Sequence, residues 1–250
     1  MIVLVTRPEP DGEMTARSLR DRGHDVLLSP MLRFEPVAFQ IEADARYGAV
    51  VVTSANALRA VADHPALDRL VALPLLGVGA RTAEVARGMG FRTVMSADGD
   101  AAALRDRVLA CIRDKSFKTL TRSSAILYLA GADIAHDLAT ELGGRGLNVA
   151  TVTSYRMVPQ IHLPAAVCDG FAAQRIDAVL HYSRRSARAF LDAARAGGVE
   201  ISALAIPQCC LSDSIAAILR DAGATQVTVS RTPDENALFE VLERAVQASR

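Results

Sequence analysis

The chain has 250 residues, half of them hydrophobic, enough apolar material for one large or two ordinary cores. Lysine plus arginine equals aspartate plus glutamate at 28 each, so no net basic field exists to hold nucleic acid or an anionic membrane. No apolar run approaches the roughly 18 residues of a membrane helix, and the chain opens on a strand-like segment without a basic leader, so a soluble, cytoplasmic protein is expected.

Taken in chain order, runs rich in β-branched or apolar residues recur at 2–6, 25–29, 48–53, 74–78, 92–95, 125–129, 148–153, 176–182, 204–211 and 226–230. Between them lie segments with helical spacing, such as Leu104, Val108, Cys111 and Ile112, or Leu238, Val241, Leu242 and Val246. Strict alternation of this kind predicts an α/β protein, its ten strands forming two doubly wound parallel sheets of five, with helices on both faces. Two stretches interrupt the alternation, LSPMLRFEPVAF near 28–39 and TSYRMVPQIHLP near 153–164. Each holds two prolines, which disfavour helix at themselves and at the preceding residue, so both are predicted to be extended connectors and a candidate hinge.

The order of elements is written twice. At an offset of 123, Leu19 falls on Leu142, Gly23 on Gly146, Val26 on Val149, Arg33 on Arg156 and Pro36 on Pro159. A second unit repeats as AVVVTSANALRAV at 49–61 and AVLHYSRRSARAF at 178–190, with Ser54 on Ser183 and Arg59 on Arg188. Further on, Pro74, Arg87, Gly90 and Val94 fall on Pro207, Arg220, Gly223 and Val227. This is a duplication at domain scale, longer than any solenoid period. Self-similarity by itself suggests two tandem domains divided near residue 120.

In open parallel sheets ligands bind beyond the carboxyl ends of the strands. Six strand-to-helix junctions carry small or capping residues. They are Thr6 and Arg7 through Asp11; Ser54, Ala55 and Asn56; Gly79 through Arg81 and Thr82; Gly131, Ala132 and Asp133; Ser183 and Arg184 through Ser186; and Ser212 and Asp213 through Ser214. Each can present backbone N–H groups at a helix start, where aligned peptide dipoles favour an anion. Taken singly, such Ser, Thr and Asp residues are ordinary N-caps; six together, facing one crevice, suit a small molecule with several negative charges.

Signatures of other chemistries are missing. There is no G-x-G-x-x-G after the first strand, no G-x-x-x-x-G-K-[ST] and no G-x-S-x-G, which removes the usual support for dinucleotide binding, nucleotide phosphate binding and serine hydrolysis. Cys111, Cys168, Cys209 and Cys210 lack metal-ligand spacing and read as buried thiols, and the five histidines show no pairing, so neither metal nor organic cofactor is expected. His24, His64, His136 and His162 read as surface or loop residues, whereas His181 ends a strand and could reach the crevice. Tyr155, in the second connector, stands where the first has Leu32. A phenol in a partly dry crevice can give a proton to a leaving oxygen, against the plainer reading of a packing residue.

Over its whole length the chain resembles the uroporphyrinogen-III synthase family, through LVTRPEP at 4–10, VVVTSANAL at 50–58, LLGVGARTAEVA at 75–86, LYLAGAD at 127–133, TSYR at 153–156, AVLHYSRRSARAF at 178–190 and CLSDSIAAIL at 210–219. The order and spacing of these segments carry the likeness more than any one of them. The resemblance implies cyclisation of the linear tetrapyrrole hydroxymethylbilane, with loss of water and inversion of the last pyrrole, without metal or cofactor. It implies a carboxylate-rich substrate held largely by backbone N–H groups, and aligns Tyr155 with the tyrosine proposed to help the hydroxyl leave. It also replaces the tandem division by an interleaved one: residues 1–33 with 160–250, and 37–153, joined by a two-stranded antiparallel linker at about 30–37 and 154–162. Relatives often carry arginine just before the glycine of the LYL-x-G loop, where this chain has Ala130; Arg7, Arg81, Arg184 and Arg185 are the alternatives for that contact. The absence of an exposed apolar run suits a monomer. Two rival readings remain at this stage, a two-lobed anion-binding sensor without catalysis and a two-domain nucleotide-sugar transferase, although no D-x-D-type acidic pair stands at a strand end.

Overall fold

The computed structural model describes residues 1–42, 44–133 and 137–248; His136 lies outside them. The chain divides into two compact units, Met1–Phe34 with Val158–Arg250, and Glu35–Met157.

The first unit is built on β1 (Ile2–Val5), β2 (Asp25–Leu28), β9 (Ala178–His181), β10 (Gln208–Cys210) and β11 (Val227–Val229), in the spatial order β11-β10-β9-β1-β2. All four pairings are parallel, with Val3 opposite Val26, Leu4 opposite Val179 and Leu180 opposite Cys209. Alternate side chains of one strand feed two cores, because successive Cβ atoms point to opposite faces. Leu4 packs with Phe171, Phe190 and Ile215 on one face, while Val3 and Val5 pack with Leu180, Leu238 and Phe239 on the other. Covering these faces are α1 (Asp11–Asp21), α7 (Ala165–Ala172), α8 (Arg184–Ala196), α9 (Glu200–Leu204), α10 (Asp213–Asp221) and α11 (Glu235–Ala248).

The second unit repeats the plan. Its sheet takes in β3 (Leu32–Pro36), β4 (Tyr47–Val52), β5 (Leu75–Gly77), β6 (Val94–Ser96), β7 (Ala125–Gly131) and β8 (Asn148–Pro159), in the order β3-β8-β7-β4-β5-β6, residues 32–34 of β3 and 158–159 of β8 counting with the first unit. Ala49 and Val51 enter one core with Leu76, Leu104 and Ile126; Val50 and Val52 enter the other with Leu58, Leu75 and Leu127. Its helices are α2 (Ala55–Ala60), α3 (Leu67–Leu70), α4 (Ala80–Gly88), α5 (Ala101–Arg113) and α6 (Leu138–Gly143).

The two Pro-bearing segments are paired strands, as the resemblance implied, rather than the plain connectors that their prolines alone predict. They supply β3 and the second half of β8, so the strands number eleven among the described residues. Val37 N–H donates to Ser154 C=O and Gln160 N–H to Met31 C=O, both at 2.9 Å, a pairing sense that makes the two segments antiparallel. Pro36 and Pro159 fall at strand ends, where a missing N–H costs least.

Matched residues of the duplication share backbone geometry. Gly23 and Gly146 end α1 and α6 at φ of 81° and 80°, and Gly90 and Gly223 end α4 and α10 at 99° and 100°. Only glycine takes this left-handed turn without a Cβ penalty, which is why these positions repeat. Gly48 is required for another reason. The register of β4 on β7 slips between Tyr47 and Ala49, and a Cβ on Gly48 would collide with the Thr119 carbonyl oxygen and the Ser124 hydroxyl. Gly48→Ala is therefore expected to destabilise the protein by about 2 kcal/mol, seen as a lower urea midpoint with an unchanged slope.

Candidate functional site

Each of the six junctions follows the carboxyl end of a parallel strand, three in each unit. In the first unit they follow β1, β9 and β10, which are adjacent in the sheet; in the second they follow β7, β4 and β5, again adjacent. The repeat thus places equivalent loops side by side at one end of each sheet.

Local roles differ from loop to loop. Ser54 caps α2, its hydroxyl accepting from Asn56 N–H at 3.2 Å, and Ser183 caps α8, accepting from Ser186 N–H at 3.1 Å. Their backbones match as well, with φ near −153° and −152°. Gly79 and Ser212 begin α4 and α10 without a side-chain cap, Ser212 sharing a hydrogen bond with Ser214 instead. Thr6 is no cap: it is fully buried and its hydroxyl donates to Leu180 C=O at 2.8 Å, tying β1 to β9. Thr82 packs its methyl against Gly77, and Ala55 opens α2. Both ends of the Asn56 amide are engaged, with Met157 sulfur and with the Arg59 guanidinium. Arg81 pairs with Glu84, while Asp133, Arg184 and Asp213 are exposed. Ala130 is completely buried, so in this chain the position before Gly131 belongs to the core.

Tyr155 is set by an irregularity in β8. The register passes from Ala130 opposite Thr153 to Gly131 opposite Tyr155, leaving Ser154 as the extra residue of a β-bulge. Ser154 is buried, its hydroxyl donating to Ala130 C=O at 3.2 Å, and Ala132 N–H donates to Tyr155 C=O at 2.8 Å. The Tyr155 ring lies over Gly131, where a Cβ would come within 2.7 Å of Cζ and 2.9 Å of the hydroxyl. A half-buried phenol is thereby held against the carboxyl end of β7.

Around Arg7 the structure shows a group that sequence reasoning missed. One Glu235 oxygen, at the start of α11, accepts from Arg7 at 3.1 Å, from Tyr182 Oη at 3.0 Å and from the Thr15 hydroxyl. The Arg7 guanidinium also sits 4.7 Å from the Tyr182 ring centroid and 3.5 Å from Asp11. Burial, reinforced by the Glu235 charge, pushes the Tyr182 phenol upward and keeps it a donor. Nothing in the local sequence links residues more than two hundred positions apart, although Glu235 is an acid in the first turn of a helix. Glu235→Ala would leave the buried Thr15 hydroxyl without its acceptor, with an expected loss of about 2 kcal/mol measurable by chemical denaturation.

His181 does not reach a crevice. It is fully buried, edge-on to Phe190 at 5.2 Å, with Nε2 2.9 Å from Gln208 Oε1. Cys111, Cys209 and Cys210 are buried and Cys168 half-buried. Burial pushes the thiols of Cys209 and Cys210 up to about 12, far from the thiolate a nucleophile needs.

No protein of curated function matches the sequence. The family model HEM4, uroporphyrinogen-III synthase HemD, matches residues 13–240. In fold the chain is similar to uroporphyrinogen-III synthetase from Helicobacter pylori, with a TM-score of 0.66 at 15% identity over 97% of this chain and 98% of that one. It is likewise similar to a mutant uroporphyrinogen III synthase from Thermus thermophilus, with a TM-score of 0.59 at 18% identity over 99% of each chain. Since the matched stretch runs from within α1 to within α11 and so takes in most of both units and five of the six junctions, all but that of Thr6 to Asp11, the chain belongs to the uroporphyrinogen-III synthase family.

Proposed function

We infer that the protein closes hydroxymethylbilane into uroporphyrinogen III. The family match over residues 13–240 carries this reading. In the reaction the terminal C–O bond breaks as the adjacent pyrrole nitrogen donates its electron pair, and the hydroxyl leaves as water. The resulting azafulvene is attacked by the substituted carbon of the last ring, giving a spiro intermediate that fragments and recloses with that ring reversed. Bonds and protons balance without an external oxidant or reductant, so the reading invokes no cofactor. Spontaneous closure gives the symmetrical isomer I; the protein's task is to hold the bilane so that attack occurs at the crowded carbon.

In this reading Tyr155 gives the proton to the departing hydroxyl, and the substrate's carboxylates are held at the junctions of Thr6 and Arg7, Ser54 to Asn56, Gly79 to Thr82, Gly131 to Asp133, Ser183 and Arg184, and Ser212 and Asp213. The placement of all six loops at carboxyl strand ends supports that assignment. So does their chemistry, because amides at helix starts bind carboxylates without net positive charge. The reading includes a monomer in the cytoplasm that binds no nucleic acid; among the described residues no helix is long and apolar enough to cross a membrane.

The test is to supply freshly generated hydroxymethylbilane and separate the oxidised uroporphyrin isomers by chromatography. Predominantly isomer III is expected. Isomer I alone, at the spontaneous rate from folded protein, would overturn the reading in favour of an anion-binding module without catalysis.

A further inference from the structure

The chain contains two lysines, Lys115 and Lys118, against its many arginines, and both line one cavity in the second unit. That cavity, of about 740 Å³, lies where α5 ends and β7 and β8 begin. Its apolar lining comes from Leu109 and Ile112 of α5, Phe117 of the following loop, and Leu120 and Leu147 just before the two strands. Leu109, Ile112 and Phe117 are only partly covered by the core behind them.

The rim is cationic. Arg113 is neutralised by Asp114 at 2.8 Å, but no described carboxylate lies within ion-pair distance of Lys115, Lys118, Arg122 or Arg145. Arg145 feels the Asp106 carboxylate and Arg122 donates to Arg145 C=O at 3.4 Å, so the lining gathers four cations without a direct ion pair on a chain of zero net charge, beside partly exposed apolar surface. One of them, like Gln174 just after α7, stands in a left-handed turn. Lys115 adopts the left-handed conformation, φ 51°, at a helix end of the kind where Gly23, Gly90, Gly146, Gly198 and Gly223 serve elsewhere. A side chain there costs about 1 kcal/mol.

We propose that this cavity binds a planar, largely apolar molecule carrying two or more carboxylates. Its volume is in the range of small-molecule sites, roughly 300–1,000 Å³. The several cations of the lining match several acidic groups on one ligand, and Phe117, Arg122 and Arg145 are the residue types that stack on a planar one. A single-chain fatty acid would need one cation at the mouth of a narrow slot. The cavity is at the amino end of the sheet. The seven residues of β7 separate it from Gly131 and Tyr155 by ~20 Å at ~3.3 Å per residue, so it is distinct from the proposed reaction site.

The test titrates the purified protein with a dicarboxylic porphyrin, and in separate arms with palmitate and with citrate, by calorimetry. The comparison is with the double variant Lys115→Glu, Lys118→Glu, whose altered side chains are exposed and whose isomer III rate without added ligand is expected to be unchanged. Porphyrin is expected to bind the wild type and Tyr155→Phe alike and the double variant at least tenfold more weakly, with little binding of the other two. Absence of porphyrin binding, equal affinity in the double variant, loss in Tyr155→Phe, or preference for palmitate would each overturn the proposal. Because the readout is binding, failure here is distinguishable from failure of the synthase reading, which rests on the isomer formed.

Discussion

Tyr155→Phe is expected to slow enzymatic formation of isomer III about 100-fold, the low end of what a positioned proton donor contributes. The loss is incomplete because folding of the bilane by the rest of the site still favours the crowded carbon, so the residual product remains enriched in isomer III. The substitution keeps the ring and removes only the hydroxyl, leaving its packing against the core of Val50, Val52, Leu58 and Leu127 intact. A companion variant separates position from chemistry. Gly131→Ala places a methyl within 2.7 Å of the Tyr155 ring, and the atom it meets is the far end of a side chain that can swing aside. Stability should therefore fall little while the rate falls nearly as far as in Tyr155→Phe. Combining the two changes should add almost nothing, since both remove the same hydroxyl from the same place. Unaltered rates in both single variants would remove Tyr155 from the mechanism.

The second large effect is on stability. Gln208 Nε2 donates to Ala203 C=O at 2.8 Å and to Ile206 C=O at 2.9 Å, which leaves its Oε1 as an acceptor toward His181. His181 Nε2 must then carry the proton, and Nδ1, which has no partner among the described residues, stays bare. Burial lowers the imidazole from 6.5 to about 4, opposed in part by the Gln208 hydrogen bond. A folded-state value below the unfolded one means that the stabilisation is complete above pH 6.5. It is lost as pH falls toward 4, at up to ~1.4 kcal/mol per pH unit. Over that window about 3 kcal/mol should disappear. His181→Gln keeps a donor toward Gln208 but cannot titrate. Urea midpoints measured from pH 7 to pH 4 should fall less steeply in this variant than in the wild type, and parallel slopes would show that His181 is not the titrating group.

The duplication was legible because its constraints are local. Gly23 and Gly146, Gly90 and Gly223, and Ser54 and Ser183 repeat in sequence because each pair must turn or cap a helix in the same way. The strands were legible for a similar reason: a run such as AVVV in β4 is buried on both faces, which apolar β-branched residues satisfy and a one-sided strand would not require. Tyr155 stood out as the side chain in one connector without a counterpart in the other.

Other features depend on residues distant in the chain. The bulge at Ser154 exists only because β8 pairs with β7, so no local pattern announced how Tyr155 would be aimed. Thr6 stands at the junction after β1 with its hydroxyl held by Leu180 C=O, and His181, by sequence a possible crevice residue, is enclosed by Phe190 and Gln208. Glu235 gathers Thr15 of α1 with Arg7 and Tyr182 of the loops after β1 and β9.

By itself the sequence determined the α/β class, the repeated unit and the loops that end its strands, because periodicity, turns and caps are decided within a few residues. The tertiary structure decided which strands are neighbours. β1 lies between β2 and β9 rather than beside β4, and β4 lies between β5 and β7, since pairing and core packing depend on which distant segments complete each other's buried faces. The same long-range choice brings the loops after β1, β9 and β10 together in one unit and those after β4, β5 and β7 together in the other.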